Sequence, residues 1–207
     1  MHFRAFSTRF PVHFRVFLRP KGFLMSLDQL IDRIPSYAKD LKLNYSSLVR
    51  QNTELTPQQL WGTVVATAIA TRSPELTEAA LDDAAKQLSP QALEAAKAAA
   101  AVMAMNNIYY RFQHLSSNEK YATPPARLRM NVLRTHGVDS LDFELWSLAA
   151  SAINGCGKCI DAHEKVVREK GAGEEQVLAV VRVASVLHAI GTTLDAERVA
   201  APEAVSA

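Results

Sequence analysis

Residues 139–171 read DSLDFELWSLAASAINGCGKCIDAHEKVVREKG. Apolar residues recur every three or four positions over residues 141–153, which predicts an amphipathic helix. Asn154-Gly155 is typical of a helix end, and a second helical pattern covers residues 156–170. The stretch therefore predicts two helices joined by a tight turn, with two cysteines where the second helix begins.

The rest of the chain repeats the helical pattern. Alanine and leucine are abundant and runs of β-branched residues are rare, which favours helices over strands. Thr56-Pro57 and Ser89-Pro90 each combine an N-cap residue with proline at the first helical position. Further helices are predicted at residues 26–34, 36–50, 56–68, 77–88, 90 to at least 109, 126–135 and 174–196, with a loop at 116–125. We therefore expect an all-α domain over residues 25–200.

A weak internal repeat relates two parts of this domain. Leu60-Trp61 is followed by ATAI at 66–69, and Leu145-Trp146 is followed by ASAI at 150–153. The copies differ by one residue in spacing, and Ala-rich helices produce such matches by chance. A true repeat would imply two related helical halves packed about one core, with the cysteine chemistry in the second half alone.

Composition excludes several classes of protein. The net charge is only +2 over 207 residues, and basic and acidic residues are mixed along residues 25–200. We therefore expect no nucleic-acid partner. No apolar stretch looks long and unbroken enough to cross a bilayer, so we expect no membrane contact. Two cysteines three positions apart do not make a secreted disulfide scaffold; in a reducing cytoplasm they indicate a redox or metal motif.

Residues 1–24 differ from the body. They hold most of the phenylalanine and five Arg or Lys residues, but no acid. Such a segment is either a targeting peptide or the result of a mis-chosen start codon, with the true start at Met25. We favour the second because Ser26 caps a predicted helix. We expect residues 1–24 to be disordered and residues 201–207 to be a frayed tail.

The cysteines and a nearby histidine form the candidate site. Cys156 and Cys159 lie on one face of a helix N-terminus, where the unpaired N–H groups and the helix dipole favour a thiolate. His163 is one turn beyond Cys159 and can take its proton directly or through a water. Cys159 is therefore the predicted nucleophile, and Cys156 the resolving thiol, which we expect to be the more exposed sulfur.

Three other interpretations of these residues remain open. Cys156, Cys159 and His163 would also suit a metal ion that takes a fourth ligand from elsewhere. His163 has charged neighbours and would also suit a solvated surface. A helical interaction module without catalysis is possible too, but it leaves the arrangement from Gly155 to His163 unexplained.

Stretches along most of the body resemble the AhpD alkyl hydroperoxidase family of the carboxymuconolactone-decarboxylase-like superfamily. The resemblance is carried by YAKDLKLN at 37–44, QLWGT at 59–63, MAMNN at 103–107, LRMN at 128–131, FELWS at 143–147 and SAINGC at 151–156. It implies an all-α fold, a cytoplasmic homotrimer with no bound cofactor, and reduction by dihydrolipoamide on a lipoylated dehydrogenase-complex subunit. It also implies electron transfer to the peroxiredoxin AhpC and weak direct peroxidase activity; the rival on this scaffold is a metal-dependent or lyase-type enzyme.

The resemblance also implies roles for four residues. Cys159 would become the sulfenic acid, and Cys156 would donate a proton and close the disulfide. His163 and Glu144 would form a proton relay, although without the resemblance Glu144 is better explained as an acid in the first turn of a helix, where it complements the dipole. Lys158 stands where some family members have a histidine, and we assign it no proton transfer because a lysine ammonium stays charged at neutral pH.

Overall fold

The computed structural model describes residues 25–200, so the expectations for residues 1–24 and 201–207 lie outside the described part of the chain. Within residues 25–200 the regular elements are all helical and no strand occurs, which confirms the predicted all-α class. The helices are α1 Leu27–Asp32, α2 Lys39–Tyr45, α3 Pro57–Thr71, α4 Pro74–Ala84, α5 Pro90–Leu115, α6 Val132–Thr135, α7 Ser140–Asn154, α8 Gly157–Glu169 and α9 Glu174–Ala200. Short 3-10 turns at Ser36–Ala38 and Glu119–Tyr121 and a π turn at Ser46–Arg50 complete the set.

Helix starts agree with the capping signals. Ser26 and Thr56 each form a capping box with a glutamine three residues later, and Ser89 accepts a hydrogen bond from the N–H of Ala92. Asp139, the N-cap of α7, accepts the N–H of Leu141 at 2.7 Å. These short-range bonds fix where the helices begin.

Two predicted helices were placed wrongly. The helix expected at 77–88 is α4, which begins at Pro74 because Ser73 and Pro74 supply the N-cap and first-turn proline. The helix expected at 126–135 is reduced to α6, since Arg127 has a left-handed backbone with φ of 54° that no α-helix accepts.

The two helices that carry the repeated motif, α3 and α7, pack directly against each other at the centre of the fold. Trp146 of α7 is fully buried, and its indole N–H donates to the carbonyl of Gln59 at 3.2 Å. Gly62 faces this ring so closely that a Cβ atom would overlap it. The equivalent Trp61 is only half-buried, so the two halves use the motif differently.

Helix α9 corrects the expectation about membrane spans. By length and hydropathy it could cross a membrane, contrary to the sequence-based expectation. Half of its most apolar window is buried inside the protein, where α9 packs on α3 and α7. The core helix of a soluble protein passes the same test of length and composition, so the length and hydropathy of α9 are weak evidence for a membrane-spanning segment.

We predict that Gly62→Ala destabilises the fold because the added methyl group must displace Trp146 from a close-packed core. The free energy of unfolding should fall by at least about 2 kcal/mol, measured by urea denaturation. Gly173→Ala is the matched control: its Cβ meets nothing within 4 Å, so stability should change by less than about 1 kcal/mol. Equal effects of the two substitutions would contradict the proposed α3–α7 packing.

Candidate active site

The turn between α7 and α8 positions the cysteines. Gly155 adopts a left-handed backbone with φ of 64°, and its N–H donates to the carbonyl of Ala152 at 3.1 Å. The N–H of Cys156 reaches back to the carbonyl of Ser151 at 3.2 Å, which completes a Schellman motif at the end of α7. Cys156 is then the N-cap of α8, and its carbonyl accepts the N–H groups of Cys159 and Ile160.

Cys156 and Cys159 are joined by a disulfide, and their Cα atoms are 5.3 Å apart. The expectation that Cys156 would be the more exposed sulfur is wrong: Cys156 is 0% exposed and Cys159 is 5% exposed. The Schellman turn folds the start of α8 back against α7, so the first cysteine is covered although it stands at a helix end. Cys159, one turn later, is the sulfur that borders open space.

His163 and Glu144 are brought together from two helices. Nδ1 of His163 on α8 lies 2.6 Å from a carboxylate oxygen of Glu144 in the first turns of α7. Both side chains are mostly buried, at 13% and 18% exposed. An ionised carboxylate only accepts hydrogen bonds, so next to an ionised Glu144 the shared proton is on Nδ1. In a neutral imidazole this arrangement leaves the lone pair on Nε2 of His163.

His163 and Cys159 border the same cavity of about 250 Å³. Within residues 25–200 no hydrogen bond joins the imidazole to either sulfur, and Nε2 lies 3.1 Å from the sulfur of Met103. A proton passing between Cys159 and His163 must therefore travel through a water in the cavity or follow a rotation of the reduced thiol.

The cavity walls are mostly apolar. They are formed by α5, α8 and the segment around α6, and the lining residues are Met103, Asn106, Tyr110, Met130, Leu133, Lys158, Cys159, Ala162 and His163. Such a lining suits the hydrocarbon part of a small ligand.

Lys158 lies at the exposed rim of this cavity. Its ammonium group donates to the side-chain oxygen of Gln113 at 3.2 Å and lies 5.4 Å from the ring centre of Tyr110. These contacts hold the Lys158 ammonium group against α5. We therefore keep Lys158 out of the proposed proton transfer.

Sequence reasoning missed the contribution of α5. Met103, Asn106 and Tyr110 are assigned no role in the site from sequence, although all three line the cavity that Cys159 borders. Their spacing of three and four residues places them on one helix face. The spacing alone could not reveal which part of the chain that face meets.

The described residues fit a metal site less well than a redox site. Among the described residues no three or more His, Cys, Asp or Glu side chains gather in a group that could hold a metal ion. One ring nitrogen of His163 contacts Glu144 and the other contacts Met103, so in this state neither nitrogen contacts a cysteine.

Known proteins resemble this chain over most of its length. The model of the carboxymuconolactone decarboxylase family matches residues 119–202, which include both cysteines, Glu144 and His163. The alkyl hydroperoxide reductase AhpD of Acidobacterium capsulatum is 74% identical over 88% of this chain and all of its own length. Its counterpart in Koribacter versatilis is 61% identical over 84% of this chain and 89% of its own length, and that of Streptomyces coelicolor is 55% identical over 86% of this chain and all of its own length. The chain therefore belongs to the alkyl hydroperoxide reductase AhpD family.

Proposed function

We propose that this chain is an antioxidant thiol–disulfide oxidoreductase that reduces alkyl hydroperoxides. The observation that carries the proposal is the Cys156–Cys159 disulfide at the start of α8, whose accessible sulfur shares an apolar cavity with the His163–Glu144 pair. The names of its relatives support the same reaction class.

In the reductive half-reaction, a dihydrolipoyl group of a lipoylated dehydrogenase-complex subunit reduces the disulfide. One lipoyl thiolate attacks the sulfur of Cys159, which borders the cavity, and Cys156 leaves as a thiolate at the N-terminus of α8. The second lipoyl thiol then closes the lipoyl disulfide and releases Cys159. Two electrons and two protons pass to the cysteine pair, and no cofactor stays bound to this chain.

In the oxidative half-reaction, His163 takes the proton of Cys159 and Glu144 stabilises the positive charge that develops on the imidazole. The thiolate attacks the terminal oxygen of the hydroperoxide, which yields a Cys159 sulfenic acid and an alkoxide that is protonated to the alcohol. Cys156 then attacks the sulfenic sulfur, supplies the proton for departing water and re-forms the disulfide.

The dithiol also passes its electrons to the peroxiredoxin AhpC. In this reaction the disulfide of AhpC is reduced in place of the peroxide, and direct peroxide reduction is the weaker activity.

We propose that the protein assembles as a homotrimer in the cytoplasm. Exposed apolar side chains at the end of α5 support a protein contact close to the site, because Ile108, Phe112 and Leu115 are each more than half exposed.

The alternative is a metal-dependent or lyase-type enzyme, which the name of the matching family model suggests. The redox function and this alternative predict different states of the two cysteine thiols in the purified protein. Two free thiols that are lost together on mild oxidation, in protein without stoichiometric metal, would support the redox function; one bound zinc per chain that shields both thiols would support the alternative.

We predict that Cys159→Ser abolishes peroxide reduction, because serine cannot form the sulfenic acid. The measurement is hydroperoxide consumption driven by dihydrolipoamide, with and without an added peroxiredoxin. Cys156→Ser is the matched control: Cys159 should still react with one equivalent of hydroperoxide, but turnover through the disulfide should stop. Lipoyl-dependent activity that survives in Cys159→Ser would overturn the proposed function.

We predict that Glu144→Gln slows oxidation of the reduced protein by a hydroperoxide about 10- to 100-fold, because the amide keeps the shape but removes the charge that supports the imidazolium. Stopped-flow measurement of thiol loss provides the rate. Asp161→Asn, an exposed acid two residues from His163, controls for loss of negative charge near the site and should leave the rate within twofold of wild type. Similar rates for all three proteins would show that Glu144 has only a structural role.

A further inference from the structure

Asn106 on α5 has a buried side-chain oxygen that the fold leaves without a hydrogen bond. Its side-chain oxygen is buried and makes no hydrogen bond to any described residue, although the residue is only 4% exposed. Two other buried side-chain oxygens share this state among residues 25–200, those of Thr67 and Ser147. Of the three residues, only Asn106 borders the cavity that contains Cys159.

The neighbouring residue Asn107 has a carboxamide with a structural role, since both of its ends are hydrogen-bonded. Asn107 donates from Nδ2 to the hydroxyl of Ser151 at 2.9 Å, and its Oδ1 accepts from Asn154 at the same distance. Both ends of that amide thus tie α5 to α7. Asn106, one residue earlier, is among the residues that line the cavity, and its buried oxygen lacks such a partner.

Asn106 is also next to the reactive sulfur. Its backbone carbonyl lies 4.0 Å from Sγ of Cys159, a distance within reach of a weak hydrogen bond from the reduced thiol. Met103 and Tyr110, one turn before and one turn after it on α5, line the same cavity. A small molecule that meets Cys159 in this cavity must therefore pass close to the Asn106 side chain.

We propose that the Asn106 carboxamide binds and orients the –O–O–H group of the hydroperoxide; this inference rests on the proposed function. A hydroperoxide carries one O–H donor and two acceptor oxygens, and a carboxamide offers an acceptor oxygen beside an N–H donor. A half-turn about the Cβ–Cγ bond exchanges the two ends of the amide, so each can be presented to the cavity. The unpaired oxygen of the disulfide state then gains a partner when substrate binds.

The binding aids the attack by stabilising charge where it develops. The sulfur of Cys159 forms a bond to the terminal oxygen, which keeps its hydrogen and becomes the sulfenic hydroxyl. The O–O bond breaks, its electron pair leaves on the alkoxide oxygen, and that oxygen receives the proton that His163 took from Cys159. An N–H of Asn106 donated to the departing oxygen lowers the barrier, as oxyanion donors do in acyl transfer.

The test compares two oxidants of the same thiols. Reduced wild type, Asn106→Leu and Asn106→Ala are mixed with tert-butyl hydroperoxide or with diamide, and thiol loss is followed by stopped flow. Diamide oxidises a dithiol without presenting an O–O–H group. We expect both variants to react with the hydroperoxide at least about tenfold more slowly than wild type, while their diamide rates stay within about twofold.

The ratio of the two rates is the readout, because a loosened fold or an altered thiol ionisation changes both. Thr67→Val is the matched control, since it removes another buried unpaired oxygen with little change of shape, away from the cavity; both of its rates should equal those of wild type. The alanine variant, which adds no bulk, serves if the leucine variant does not fold.

Equal slowing by both oxidants, or no slowing by either, would overturn the role of Asn106 and leave the proposed function intact. A wild-type protein that diamide oxidises but the hydroperoxide does not would instead overturn the direct peroxide reaction, and this inference with it. The two failures are therefore distinguishable in one experiment.

Discussion

The Schellman turn at Gly155 fixes the position of every reactive group in the second half of the chain. It ends α7 with two backbone hydrogen bonds and leads directly to Cys156, the N-cap of α8, so the chain itself holds the two helices side by side. This places Glu144 of α7 beside His163 of α8, although 19 residues separate them. A side chain at position 155 would strain this left-handed backbone, which glycine adopts without cost.

The same turn gives the two sulfurs different surroundings. Cys156 is enclosed at the N-cap of α8, where helix N–H groups stabilise a thiolate, while Cys159 borders the cavity. In the account developed above, an outside thiol or peroxide meets Cys159 first and Cys156 acts from within. The order of reaction then follows from burial, and it agrees with the proximity of Cys159 to His163 along the helix.

Sequence predicted the features that depend on neighbouring residues. The caps at Ser26, Thr56 and Ser89, the turn at Gly155 and the pairing of Cys156 with Cys159 arise within four residues, and the structure contains all of them. Features that depend on tertiary packing were harder. The family resemblance alone pointed to Glu144 beside His163; burial of Cys156 was predicted wrongly, and the α5 wall of the cavity was not foreseen because no local pattern indicates which helix will cover a site.

The most direct test of the account asks which sulfur the peroxide oxidises. Each single cysteine-to-serine variant is reduced, treated with one equivalent of an alkyl hydroperoxide in the presence of dimedone, and analysed by peptide mass spectrometry for the trapped sulfenic acid. The account predicts rapid labelling of Cys159 in Cys156→Ser and little labelling of Cys156 in Cys159→Ser. Preferential labelling of Cys156, or no labelling of either variant, would contradict it.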